Sequence, residues 1–162
     1  FDDEGVPAHT KAVVEAGRLE TLLHNLKTAK KAGVLTTGNA GRGGAGGPVG
    51  VRPANFYIQP GEMDRDALMQ SLGDGLFVTE LSGLHAGVNG VSGEFSLLCK
   101  GQLVKGGKAL RPAAYITLGG TFLGLLQAVE TVGSDLRFSL PTGACFGSPS
   151  LLIRELMVSG QG

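Results

Sequence analysis

His9, His24 and His85, together with Cys99 and Cys145, are the side chains of this chain that could ligate a borderline metal or serve as base and nucleophile. Their spacing argues against a metal. A zinc-protease helix needs two histidines one turn apart with a glutamate beside the first, so that both imidazoles face one ion and the carboxylate activates its water. The residues following the three histidines are Thr10, Asn25 and Ala86. No catalytic residue and no metal ligand is assigned on this pattern, and the scattered His and Cys read as ordinary surface or core residues. Ser148 and Ser150 lack the Gly-x-Ser-x-Gly elbow of a serine hydrolase. The glycine-rich stretch 41–50 lacks the Gly-Lys-Ser/Thr ending of a phosphate-binding loop. Asp2, Asp3 and Glu4 could offer oxygens to a hard cation, but read better as a solvated run. Lys27, Lys30 and Lys31 read as a solvated helix face rather than a nucleic-acid footprint.

The elements that must position these residues are short. Val13-Val14 and Arg18 to Leu23 flank a turn at Glu15-Ala16-Gly17, and a helix is expected from about His24 to Ala32, closed by Gly33. Seven glycines between Gly38 and Gly50 leave little to pack, so the segment 38–54 is expected to be a flexible loop. Asn55 to Ile58 is strand-like. Asp64 is placed to cap a helix that turns Ala67, Leu68 and Leu72 inward and stops at Gly73.

Strands are expected at Leu76–Thr79, Glu94–Cys99, Gly101–Val104 and Ala109–Leu110, the last two flanking a hairpin turn at Lys105-Gly106-Gly107-Lys108. Tyr115–Leu118 is a further β-prone run, expected to end at Gly119-Gly120. Phe122, Leu125, Leu126 and Val129 fall at i, i+3, i+4 and i+7, the spacing of an apolar helical stripe behind a Thr121 cap, with Gly133 as its end. Strands near 136–138, 150–153 and 156–158 complete an α+β domain, mainly antiparallel sheet with about three short helices.

Composition bounds function loosely. A chain of 162 residues with 42% hydrophobic content fits a single domain, and 28 glycines against 17% charged residues favour turns and short strands. Fourteen basic and fourteen acidic side chains cancel, which removes an electrostatic case for nucleic acid or an anionic membrane as partner. Two cysteines are too few for a disulfide framework and favour a cytoplasmic setting. The apolar runs are too short to cross a bilayer as helices. With Phe1 in place of an initiator Met and no leader-like segment, the sequence reads as part of a longer protein.

One set of segments is more specific than any of these. Asp3-Glu4-Gly5, Thr37-Gly38-Asn39, Gly75-Leu76-Phe77-Val78-Thr79-Glu80-Leu81, Val88-Asn89-Gly90, Gly93-Glu94-Phe95-Ser96, Val132-Gly133-Ser134-Asp135-Leu136 and Gly147-Ser148-Pro149-Ser150-Leu151-Leu152-Ile153 occur in that order. In order and spacing they resemble the C-terminal part of the TldD/PmbA family of metalloproteases. The positions that carry the match are Asn39, Glu80, Asn89, Gly93, Asp135 and Cys145.

The resemblance implies a pair of related subunits, TldD and PmbA (also called TldE), that together degrade unfolded peptides and trim peptide precursors. It implies zinc held by a His-Glu-x-x-x-His helix of TldD, upstream of the part matched here, with a Cys near its C-terminus as third ligand. No cofactor is implied for this segment, and zinc is implied for the partner or the longer parent. Val78-Thr79-Glu80-Leu81 and the short Cys145-Phe146-Gly147-Ser148 passage look like the PmbA side, where TldD has a longer insertion after its ligand Cys. Three readings follow. The chain is part of a PmbA-like non-catalytic subunit, partnered by a TldD-like subunit or by itself; or part of a TldD-like catalytic subunit whose metal helix lies outside it; or a scaffold module without a protease role.

Overall fold

Ala16 and Gly17 both take positive φ, 48° and 79°, the backbone of a two-residue hairpin turn that matches the twist of flanking strands. They join β1 (Val14–Glu15) to β2 (Arg18–Leu19) in the computed structural model, which describes residues 1–140 and 143–160. The chain divides into two compact units: Phe1–Tyr57 with Phe138–Gly147, and Ile58–Arg137 with Ser148–Gly162.

In the first unit the expected helix is α1 (Leu26–Ala32), two residues shorter at its start because Asn25 is its cap. The Asn25 side chain accepts from Thr28 N–H while the Thr28 hydroxyl accepts from Asn25 N–H, a reciprocal cap. Gly33, at φ 70°, closes the helix as expected. The glycine-rich segment departs from its expectation of a structureless loop. β3 (Ala40–Arg42) and β4 (Val49–Val51) form an antiparallel ladder across it, with Gly41 opposite Gly50.

The acidic run at the chain start supplies what those glycines lack. Asp2 accepts hydrogen bonds from Glu4, Val6 and Ala40 N–H, Asp3 from Arg42 N–H, and Glu4 from Leu26 N–H. These carboxylates are a clasp on the hairpin and helix, not a solvated run. Partial burial pushes the Asp2 carboxyl up, but the bonds from Ala40, Val6 and Glu4 outweigh it and hold its pKa below the usual range. β5 (Asn55–Tyr57) then belongs to a three-stranded sheet with β10 (Arg137–Phe138) and β11 (Cys145–Ser148), in the order β10-β11-β5. β11 runs parallel to β5.

The second unit is built on one long hairpin. β7 (Glu94–Lys105) and β8 (Lys108–Thr121) are joined by Gly106 and Gly107, at φ 55° and 74°. Along β7, Leu97, Cys99 and Gly101 are buried while Ser96, Leu98 and Lys100 are exposed, the period-two alternation of a strand with one covered face. Cys99, Ala113, Ile116 and Leu118 form the core of that face, with Leu76, Val78 and Leu103 against it. β6 (Gly75–Ser82) and β13 (Met157–Ser159) complete the sheet in the order β13-β8-β7-β6. β8 does not stop at Gly119-Gly120: both glycines pair across to Ser96 and Phe95.

α2 (Arg65–Leu72) has the expected Asp64 cap and ends at Gly73, with Leu68 buried. α3 (Leu84–Gly87) is a single turn with no counterpart in the sequence reading. The predicted stripe is the larger correction. α4 (Phe122–Gln127) ends at Ala128, and Val129–Val132 is strand β9, paired with β12 (Leu151–Ile153). Pairing with β12 satisfies the backbone beyond Ala128 better than a lone two-turn helix would. Phe122 and Leu126 remain 57% and 40% exposed, so the stripe faces no core. The fold is α+β and mainly antiparallel as expected, with four short helices among the described residues.

Candidate functional site

The second unit contains a cleft of about 270 Å³. Arg65 reaches it from α2, Phe77 and Thr79 from β6, Asp135 and Arg137 from the segment after β9, and Ser150 from the entry to β12. β6 is the end strand of its sheet and pairs on one side only, with β7. One wall of the cleft is therefore a strand whose outer edge has no partner strand among the described residues.

The opposite wall is held by Asp135. Its Oδ1 accepts from Ser150 N–H and its Oδ2 from Ser150 Oγ, each at 2.8 Å. The Ser150 carbonyl in turn accepts from Gly133 N–H at 2.8 Å, and Ser134 N–H donates to the Met63 carbonyl at 2.8 Å. A Cβ at Gly133 would lie 2.8 Å from Leu68 Cδ1, 2.9 Å from Asp135 Oδ1 and 3.1 Å from the Ser150 carbonyl oxygen, so a larger residue at this crossing would have to displace them. The hydrogen bond from Ser150 N–H is the first cause that holds the Asp135 carboxyl below its ordinary pKa; partial burial opposes it, and the Ser150 hydroxyl and nearby Arg137 reinforce it.

The two arginines are differently placed. Arg65 lies over the Phe77 ring, 4.9 Å from its centroid, in cation–π contact. The ion pairs of the described residues are Arg18–Glu20, Arg52–Asp3, Lys100–Glu80 and Arg154–Glu130, so neither Arg65 nor Arg137 is in one. The lining thus includes two arginines and one carboxylate already engaged by Ser150. That arrangement can bind an anion. The Ser150 hydroxyl in it donates to Asp135, and no histidine lines it.

Of the six sequence-matched positions, Asp135 alone lines this cleft. Glu80 lies on the exposed part of β6 and pairs with Lys100 at 3.1 Å, which with the Ser82 hydroxyl lowers its pKa. Asn89 and Gly93 shape one turn: Asn89 Oδ1 accepts from Val91 and Ser92 N–H, Gly93 N–H donates to the Asn89 carbonyl, and Gly93 takes φ 74°. In the first unit, buried Asn39 accepts from Lys11 Nζ at 3.1 Å and donates to the Arg52 carbonyl. Cys145, half-buried in β11, donates its N–H to the Ala54 carbonyl. Each of these positions shapes the backbone around it.

Zinc does not fit the residues present. Among the described residues no three His, Cys, Asp or Glu side chains stand close enough to hold a metal ion. The His24 ring is engaged with Thr28 Oγ1 at 3.2 Å, and its carbonyl accepts from Thr37 and Asn39 N–H, a structural use of that residue. Cys99 is buried, which pushes its thiol pKa up and away from reactivity. Arg65 and Arg137 carry no sequence signal of their own. Only the fold brings them to one cleft.

Comparison with known proteins places these observations. A family model described as the PmbA/TldA metallopeptidase C-terminal domain matches residues 1–160. The chain is 32% identical over 163 residues to a metalloprotease PmbA homolog of Haemophilus influenzae, covering 99% of the chain and 32% of the relative. It is 29% identical over 171 residues to a metalloprotease TldD homolog of Buchnera aphidicola, covering 99% and 35%. A crystal structure from Thermotoga maritima, described as a modulator of a DNA gyrase, superposes with a TM-score of 0.87 at 44% identity, covering 98% of the chain and 35% of that protein. The chain spans about a third of the length of the relatives it matches. No helix among the described residues is long and apolar enough to cross a membrane.

Proposed function

This chain belongs to the PmbA/TldD metallopeptidase family, as its C-terminal domain, and from that premise we propose that it serves in a PmbA/TldE-like, non-catalytic subunit of a two-subunit metalloprotease. The observation that carries the reading is the short Cys145-Phe146-Gly147-Ser148 passage, together with Val78-Thr79-Glu80-Leu81, which looks like the PmbA side where TldD has a longer insertion after its ligand Cys. Zinc and its activated water then belong to a related TldD-like subunit, or to a part of the parent outside this chain. This domain contributes peptide contacts and structure.

The partner in this reading is a TldD-like subunit in a heterodimer, or a second copy in a homodimer, and the substrates are unfolded peptides and peptide precursors in the cytoplasm. Neither nucleic acid nor a membrane is a partner, which agrees with the balanced charge. The outer edge of β6 suits the substrate: main-chain hydrogen bonding to an extended segment gives affinity with little side-chain selectivity. The 29% identity to a TldD homolog favours one other reading, a catalytic subunit whose metal helix lies outside the matched segment.

Metal analysis separates the two. Purified without its partner, the full-length protein that carries this chain is expected to hold no stoichiometric zinc, and a chelator to leave its Tm unchanged. One zinc per subunit, removed by the chelator with a fall in Tm, would overturn the non-catalytic assignment.

A further inference from the structure

We propose that the cleft between Arg65 and Arg137 is a carboxylate-binding subsite for a peptide laid along the outer edge of β6. The proposal rests on the reading of this domain as peptide-binding and names the chemistry of one contact. Charge complementarity is the first argument. Two arginines line a cleft whose sole carboxylate, Asp135, accepts from Ser150 on both oxygens at 2.8 Å. Neither arginine has an ion-pair partner among the described residues. A guanidinium is a planar fork of donors that matches a carboxylate, and it loses little freedom when already stacked, as Arg65 is on Phe77 at 4.9 Å.

The second argument is the wall between the two arginines. Phe77, Val78 and Thr79 come from β6, the end strand of the four-stranded sheet. A bare anion needs only charge. A strand edge together with an aromatic ring fits a ligand that has a main chain and an apolar side chain beside its carboxylate. Asp135 is here a positioning residue: it fixes Ser150 and the segment that carries Arg137, and its charge offsets part of that of nearby Arg137, which leaves two arginines against one carboxylate in the lining.

The carboxylate has two sources, a chain terminus or an Asp or Glu side chain, and the test distinguishes them. Fluorescence anisotropy would follow labelled, unstructured hexapeptides binding to the full-length protein that carries this chain. Three peptides differ only in carboxylate: a free C-terminus, a C-terminal amide, and an amidated peptide with one internal Asp. The free-acid or the Asp peptide is expected to bind about tenfold tighter than the neutral amide, the factor that 1.4 kcal/mol represents. Preference for the free acid identifies a terminus site, and preference for the Asp peptide a side-chain site.

Arg137→Gln and Arg65→Gln are each expected to abolish the preference, while the far-UV circular dichroism stays as in the parent. Equal affinity for all three peptides, or a preference that survives the double substitution in a folded protein, would overturn the proposal. So would displacement by inorganic phosphate at the peptide's own dissociation constant, which would reduce the site to a bare anion hole. Zinc content and association with a catalytic subunit are read separately, so failure here leaves the non-catalytic assignment to stand or fall by itself.

Discussion

Asp135→Asn tests whether the knot around Ser150 holds the cleft together. The substitution keeps shape and removes charge. An amide can offer one oxygen, so it retains one of the two hydrogen bonds to Ser150 and turns an N–H group toward the other donor. Hydrogen bonds to a charged acceptor contribute about 1.5–3 kcal/mol each in protected sites. Asp135 is only half-buried, so solvent screening reduces the figure. A net loss of about 1–2 kcal/mol is expected at neutral pH. Ser150→Ala removes the hydroxyl partner alone, and the coupling between the two substitutions in a double-mutant cycle is expected at about 1 kcal/mol.

The pH dependence supplies a second readout. The folded-state pKa of Asp135 is depressed, so its contribution is fully present above the unfolded value, about 3.9, and is lost as pH falls through the lower folded value. The parent and Asp135→Asn should therefore differ in urea denaturation at pH 7 and converge in strong acid. A cycle with coupling under about 0.3 kcal/mol, or a stability gap that does not shrink in acid, would refute the role given to this carboxylate.

Two further pairs of substitutions carry opposite expectations within each pair. At Gly101→Ala the new Cβ would press on the Phe77 carbonyl oxygen and lie 2.9 Å from its carbon, backbone atoms that cannot rotate away, so β6 and β7 must part and the loss is expected at about 2 kcal/mol; Gly50→Ala meets its nearest atom at 3.7 Å and should stabilise by about 0.4–1 kcal/mol through the unfolded chain. Equal effects at the two glycines in urea titration would refute the steric argument. Leu118→Ala, in the β-sheet core, should cost about 2–5 kcal/mol, whereas Leu126→Ala, 40% exposed on α4, should cost only about 1 kcal/mol; a larger loss at Leu126 would mean that α4 packs inward after all.

What the sequence made legible was chemistry that acts over a few residues. Asp64 caps the residue three positions on, Gly33 and Gly73 close helices, and Gly106-Gly107 reverses a hairpin, each through backbone geometry that one residue type favours. The misreadings came where a distant partner decided. Val129 satisfies the helical period, but β12 offers it a ladder, and the ladder prevails. The glycines of β3 and β4 offer no side chains to pack, yet Asp2 and Asp3, nearly forty residues earlier, hold that hairpin through its N–H groups.

The cleft divides the same way. Asp135 lies within one of the family's segments, whereas Arg65 and Arg137 come to one cleft only through the fold. Arginines far apart in sequence leave no spacing to read.

Peptide hydrolysis tests the central claim most directly. The full-length protein that carries this chain and its zinc-motif relative from the same genome would be purified separately and together, then assayed on one unstructured peptide. The account predicts no cleavage by the protein alone and cleavage once the relative is bound to it. Turnover by the protein alone, lost on chelation, would contradict the account.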